Sequence, residues 1–433
     1  MEEISIGLAG AGTVGGGVVK ILHNRKEYFR NKLKLPIKLA RIADKQLSVL
    51  QGLPTDDAIC TTDAQDILND ESINVVIELI GGKTFARKFV LDALERKKHV
   101  ITANKALIAE YGPEIFECAA RNNVSLYFEA AVGGGMPVIK SIREGLAGNN
   151  IFSVRTIING TCNYILTRMT AEGLAFDKVL EQAQKFGYAE ADPTLDISGG
   201  DSGHKIAIMA SLISGGYVPY NQINIEGITS ITKEDIEFAR ELGYTIKLLG
   251  IINRNLENGE LDVRVNPAML HTDHILASVS DVFNAVLLEG DAVGQILLYG
   301  KGAGQMPTAS AVVSDVLDVS RNIISGNEIR IPTDHYSFSN TVDLKSIDKI
   351  SSRYYLRFTV KDEACVLASI ASVLGKQNIS IASVIQKEGY SDNSVPVIIL
   401  THRASEKGIR TALEEIEKTD FIKSKTQMIR IED

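Results

Sequence analysis

The stretch ISIGLAGAGTVGGGVVKILHN near the N-terminus constrains the fold more than any other. Residues 4–9 form a short apolar run that reads as a buried strand, and glycines at 10, 12 and 15 follow it into an apolar helix. A bare GxGxxG says little. Set between a strand and a helix, it points to a dinucleotide-binding unit. The glycines permit a tight turn and close approach of a pyrophosphate, and the helix N-terminus adds unpaired N–H groups and partial positive charge. Gly10, Ala11, Gly12, Thr13, Val14 and Gly15 are thus the expected cradle.

An alternating β/α series continues from there. A second strand, IKLARIA (37–43), ends at Asp44. An acidic residue there suits the ribose hydroxyls and repels a 2′-phosphate, which favours NAD. Arg41 and Lys45 stand near enough to offset that repulsion, so NADP stays open. VVIELIGG (75–82), HVIT (99–102) and SLYFEAAV (125–132) read as further strands, with helices at FARKFVLDALERKK and EIFECAARNN. The pattern predicts a doubly wound α/β sheet of the Rossmann type. Lys105 lies just beyond HVIT, at the strand ends where such sheets bind ligands. Read bare, it is equally a surface lysine. Glu129 sits at an apolar position, where it needs either a basic partner or a cation held jointly with backbone carbonyls of the following glycine turn.

The stretch GYAEADPTLDISGGDSGHK (187–205) concentrates the candidate chemistry. Pro193 and Gly199–Gly200 exclude a continuous helix before Asp201. A helix starting near Asp201 puts Asp201 and Lys205 on one face, one turn apart. On a solvated helix such a pair is worth about 0.2–0.5 kcal/mol. The following IAIMASLI is too apolar for a solvated helix, so the charged first turn is expected to face a cleft, where a carboxylate and an amine suit proton transfer.

Bulk properties narrow the class. The chain has 433 residues, enough for several domains. Its net charge of −8, without a long basic run, argues against a nucleic-acid surface. No apolar run approaches the roughly 20 residues that span a bilayer. The N-terminal MEEISIGLAG lacks the features of a signal peptide, and four widely spaced cysteines (60, 118, 162, 365) read as reduced thiols, so a cytoplasmic protein is expected. Cys162 has no neighbouring histidine to make it a nucleophile, and His271-x-x-His274 lacks a third ligand at a recognised metal spacing.

GAGTVG, TANKAL, FEAAVGGGMP, NGTCNYILTRM, GYAEADPTLDISGGDSGHK and GAGQMPTASAVVSD occur in one order over residues 4–320. Together they resemble the homoserine dehydrogenases. The resemblance implies NAD(P)-dependent interconversion of L-aspartate 4-semialdehyde and L-homoserine, on the way to threonine, methionine and isoleucine. It implies Lys205 as proton donor or acceptor, Asp201 as its holder, Glu190 as a binder of the substrate ammonium, Asp196 in the same pocket and Lys105 near the nicotinamide. It further implies a sodium or potassium ion on Glu129 and the carbonyls of Val132, Gly134 and Met136, with Gly187 and Gly302 touching the cofactor. A homodimer or homotetramer is expected. The rival reading is a dinucleotide-binding amino-acid sensor without catalysis; a proton-donor set is superfluous for that role.

The expected organisation is a nucleotide domain of residues 1–148 plus 302–330, an α+β substrate and dimerisation domain of 149–301, a linker of 331–351 and a tail of 352–433. The tail reads βαββαβ, a ferredoxin-like plait, and resembles an ACT regulatory domain. A threonine effector is what that resemblance implies. Ala364–Cys365 stand where ACT domains commonly carry Pro-Gly, so a dimerising role is the alternative.

Overall fold

The structure is a computed structural model that describes residues 3–326, 340–387 and 394–432. Strands β1 (Ile4–Ala9), β2 (Ile37–Ala43), β3 (Ile59–Thr61), β4 (Val75–Glu78), β5 (His99–Thr102) and β6 (Leu126–Tyr127) form one parallel sheet in the order 3-2-1-4-5-6. That is the doubly wound Rossmann order, and its direction reverses between β1 and β4. Every residue of β1 and β4 is buried, as both-face coverage by helices requires. The helix expected after the glycine turn at 302 runs Gln305–Ile324 and packs on the helix Thr13–Asn24. Gly17 makes that approach possible: a Cβ there would stand 2.8 Å from both Cβ of Ala309 and the carbonyl oxygen of Gln305.

Three local expectations change. The helix over this region starts at Lys105 rather than Glu114, because Asn104 caps it through Leu107 N (3.1 Å). Pro113 is accommodated just after a kink at Tyr111. The strand expected over 125–132 holds only at β6 and then tightens into a 3₁₀ turn, Glu129–Ala131.

The second sheet combines the middle of the chain with its tail. β7 (Ile151–Ile157), β9 (Tyr244–Arg254), β10 (Leu261–His271), β11 (Phe283–Gly290) and β12 (Gly294–Lys301) form its first part, with short β8 (Asn224–Ile225) beside β10. The helix Gly200–Ser214 packs on β9 and β10 with nearly every residue buried. The tail contributes β13 (Ser351–Lys361), β14 (Ile381–Gln386), β15 (Ser394–Thr401) and β17 (Gln427–Glu432), with the short β16 (Ala404–Ser405) against the start of β13. Its strand order, β17-β13-β15-β14, and its helices Val366–Lys376 and Glu406–Ile416 make the expected βαββαβ plait. Sequence analysis did not foresee that β17 pairs in parallel with β10 through Ala268–Arg430, Met269–Ile431 and Leu270–Glu432. The plait and the middle sheet are thereby one continuous sheet of eleven strands.

Part of the expected linker, residues 331–339, lies outside the described residues. Beyond it the chain is strapped to the middle sheet: Tyr217 N donates to Asn340 O (2.8 Å) and Lys345 N to Leu261 O (2.8 Å). No described helix is long and apolar enough to cross a membrane.

Candidate active site

The glycine turn builds the first wall. Gly10 has φ +94°, and a Cβ there would lie 2.4 Å from Leu79 O. A Cβ on Gly15 would lie 2.1 Å from Gly10 O, so the helix can seat on the turn only with glycine. Gly12 is different: a Cβ there would meet nothing within 4 Å. It borders a cleft of about 560 Å³ lined also by Thr13, Val14, Gly82, Lys105 and His204. Open space over Gly12, at the N-terminus of a helix and beside the sheet's reversal point, fits a pyrophosphate. Asp44 braces this wall, its Oδ2 accepting from Ala11 N (2.8 Å) and its Oδ1 from Gln46 N (2.9 Å). Arg41 is committed to Asp70, with Nε 2.7 Å from Oδ2, while Lys45 is exposed. Gly187 and Gly302 lie outside the cleft lining: Gly187 is exposed with φ +75°, and Gly302 packs against Asn284 and Gly134.

The second wall is the first turn of the helix Gly200–Ser214. Gly199, at φ +85°, breaks the chain away from the short helix Thr194–Ile197 and starts the longer one. Asp201 is 5 % exposed and is surrounded by donors. Its Oδ2 receives Lys205 Nζ at 2.6 Å and Asn159 Nδ2 at 2.9 Å, and its Oδ1 faces Lys105 Nζ at 3.2 Å. Burial pushes the Asp201 carboxyl upward, but the ammonium groups of Lys205 and Lys105 outweigh it and hold the group well below the usual carboxylate range. Asp196 shifts the other way, raised first by burial and then by the charge of Asp201. Asn159 ties the two together, donating also to Asp196 Oδ1 (2.7 Å). Lys205 donates a second bond to Ile158 O (2.8 Å). An ammonium has three N–H groups, so one remains for an incoming oxygen. Lys105 lines the cleft and touches Asp201, which joins the nucleotide wall to the acidic corner.

Glu190 is not drawn into this corner: it is exposed, and its carbonyl accepts from Gln184 Nε2 (3.1 Å). Cys162 is buried with its thiol directed at Asp196 O (3.1 Å), and burial raises it far from thiolate chemistry. His274 Nδ1 accepts from Leu276 N (3.1 Å), a local cap.

Two participants escaped sequence reasoning. Asn159 stood in plain view in the NGT turn, where an N-cap role was its ordinary meaning; its Oδ1 does cap the next helix through Cys162 N (2.8 Å). His204 precedes Lys205 and lines the cleft. Its ring stacks on Tyr220 (centroids 4.1 Å apart) and its Nε2 meets Glu110 Oε1 at 3.0 Å, with Lys83 2.9 Å from the other oxygen of Glu110. Burial pushes His204 below its ordinary range, against the pull of Glu110.

Glu129 is buried at the far side of the glycine wall. Its oxygens accept from Ile139 N and Lys140 N, each at 2.9 Å. Burial, then the neighbouring Asp315, push its carboxyl up to about 8. Gly134, at φ +56°, abuts Gly302: a Cβ on Gly134 would lie 2.4 Å from Gly302 O.

Comparison with known proteins agrees with this geometry. The family described as homoserine dehydrogenase matches residues 137–317, and the homoserine dehydrogenase NAD-binding domain matches residues 10–129. The chain is 43 % identical to the homoserine dehydrogenase of Neisseria gonorrhoeae, over all of this chain and 99 % of that protein. It is 37 % identical to that of Bacillus subtilis, with the same coverage. The crystal structure of a homoserine dehydrogenase from Thiobacillus denitrificans superposes with a TM-score of 0.93 at 41 % identity, covering 100 % of this chain and 99 % of that one. A hyperthermophilic archaeal homoserine dehydrogenase in complex with NADPH matches 73 % of this chain and 97 % of its own, with a TM-score of 0.61 at 25 % identity. The glycine cradle, the strand order and these full-length relatives agree: the chain belongs to the homoserine dehydrogenase family of NAD(P)-dependent oxidoreductases.

Proposed function

We propose that this chain interconverts L-aspartate 4-semialdehyde and L-homoserine, with Lys205 as the group that exchanges the proton. The observation that carries the assignment is the remaining N–H of Lys205, whose other bonds go to Asp201 and Ile158. A nicotinamide cofactor supplies the hydride when bound. Lys205 then stabilises the negative charge that develops on the aldehyde oxygen and gives it a proton; in the reverse direction it takes the proton from the alcohol. Asp201 keeps Lys205 oriented and charged, and Lys105 adds a second cation at the same carboxylate. Asp196 and Glu190 lie along the same acidic loop and receive the substrate ammonium. A sensor without catalysis is disfavoured, because it has no use for a buried amine–carboxylate pair at the cleft.

NAD is the favoured cofactor, since Asp44 is anchored at the end of β2 and Arg41 is taken by Asp70. Gly187 and Gly302 would reach the cofactor from the substrate side. A sodium or potassium ion on Glu129 and the carbonyls of Val132, Gly134 and Met136 would relieve a buried carboxylate that otherwise holds its proton to about pH 8. The tail is read as an ACT-type module receiving threonine or pairing two subunits. Cys365 adopts φ +69° at the start of the helix Val366–Lys376, the conformation for which glycine is the usual residue. The four cysteines are thiols, which suits a reducing, cytoplasmic setting.

The deciding experiment follows reduced-nicotinamide absorbance with homoserine and each cofactor, for the parent and for Lys205→Ala. The variant is expected to lose about 10²–10⁴ in kcat while keeping its cofactor affinity. A fully active variant refutes the assignment. No turnover of the parent with either cofactor restores the sensor reading.

A further inference from the structure

Where the tail joins the middle sheet, a cavity of about 390 Å³ opens between β10, β17, the start of β13 and the segment 345–350. It is far from the glycine cradle in chain and in lining, and the proposed reaction makes no use of it. Arg155, Arg264, Lys345, Lys349 and Arg403 border it, against Glu260, Asp262 and Glu432. Five bases against three acids leave an excess of two positive charges.

All three acids are already matched. Glu432 holds Arg264 (Oε1 to Nη2, 2.5 Å) and Arg155 (Oε2 to Nε, 3.2 Å). Asp262 Oδ2 takes Arg264 Nη1 and Asn253 Nδ2, and Glu260 pairs with Lys345 at 3.1 Å. Two buried polar atoms on this wall nevertheless have no hydrogen-bond partner among the described residues: Nε of Arg264, whose side chain is 4 % exposed, and Oδ1 of Asp262. One is a donor and the other an acceptor. Buried polar groups are normally satisfied, so an unsatisfied donor–acceptor pair on a positively charged wall marks a place built around something.

We propose that this junction cavity binds a small dianion that also carries one hydrogen-bond donor, such as hydrogen phosphate or a hydroxylated dicarboxylate. The charges of the ligand answer the excess cations, one of its oxygens accepts from Arg264 Nε–H, and its donor reaches Asp262 Oδ1. Because β10 and β17 carry Arg264 and Glu432, the bound anion would span the seam between the middle sheet and the tail.

The test measures thermal unfolding of the full chain, saturated with NAD so that the glycine cradle is filled, against inorganic phosphate, malate, succinate and sodium chloride at equal ionic strength. Phosphate or malate is expected to raise Tm saturably, and which of them does so identifies the anion class; succinate, lacking the donor, is expected to be weaker. In Lys349→Ala/Arg403→Ala the half-saturating concentration is expected to rise about tenfold or more, as loss of charge-assisted contacts requires, with KM for homoserine unchanged. Should that variant fold poorly, Lys349→Gln alone is expected to shift the same curve in the same direction. A response no larger than that to chloride, or one that persists unchanged in both variants, overturns the proposal.

Discussion

Lys105 and Lys205 share one carboxylate: they approach opposite oxygens of Asp201, at 3.2 and 2.6 Å, from helices on either side of the cleft. One buried acid thus sets the separation of two cations contributed by distant parts of the chain. Asp201→Asn keeps the shape and removes the charge. It leaves two ammonium groups facing each other without a counter-ion, so kcat is expected to fall by about 10² or more, with a lowered pH optimum as Lys205 loses its proton more easily. Steady-state rates across pH 6–10 check both the size and the direction.

The glycines of the cradle separate binding from folding. Gly12→Ala places a methyl group in open space, so stability is expected to move by no more than about 0.5 kcal/mol while KM for the cofactor rises. Gly15→Ala pushes against Gly10 O and is expected to lower Tm before it affects anything else. Melting curves and cofactor titrations of the two variants, run side by side, test the contrast.

Glu129 predicts a pH effect. Its carboxyl holds a proton to about pH 8 in the folded chain, against an ordinary value of 4.5. Between those values the folded state binds the extra proton, so this group's contribution to stability falls as pH rises. Potassium or sodium beside Glu129 favours the ionised form and is expected to flatten the fall. Tm measured from pH 5 to 8 in tetramethylammonium and in potassium buffers reads this directly. Glu129→Gln should remove both the slope and the difference between cations.

Arg430 is 1 % exposed and joins the tail to the middle of the chain. It pairs with Glu226 (2.7 Å) and with the fully buried Glu406 (2.5 Å), which also accepts from Tyr354 OH (2.8 Å). Arg430→Ala leaves Glu406 buried without its partner, a loss of about 3–5 kcal/mol. Denaturant unfolding should show it. Activity should suffer as well, since a Cβ on neighbouring Gly227 would stand 2.1 Å from Ile197 O, in the loop that carries Asp196.

Cys365→Gly is expected to stabilise the tail by about 1 kcal/mol, the cost of holding a residue with a Cβ in the left-handed region. A matched pair of urea melts would detect it.

Local patterns made much of this legible. The strand–GAGTVG–helix unit, the break at Gly199 and the i,i+4 spacing of Asp201 and Lys205 are short-range features, and the structure keeps them. The seam between β10 and β17 was not legible. It pairs Ala268 with Arg430, far apart in sequence, and nothing in the alternation of either strand names its neighbour. Charged Arg430 and Glu432 even read as surface residues, although both are buried. His204 stayed hidden because a lone histidine in an apolar helix looks like core; only the tertiary approach of Glu110 and Tyr220 gives it polar company. Lys105 was placed correctly near the strand end, but its bond to Asp201 depends on a meeting of two helices that no window of sequence contains.

The parallel pairing of β10 with β17 has a consequence for biosynthesis. While the nascent chain leaves the ribosome, β10 emerges long before residues 427–432 do, and its open edge must wait for them. Completion of the catalytic half is therefore a post-translational event. A chaperone that shields this edge would raise the yield of native enzyme.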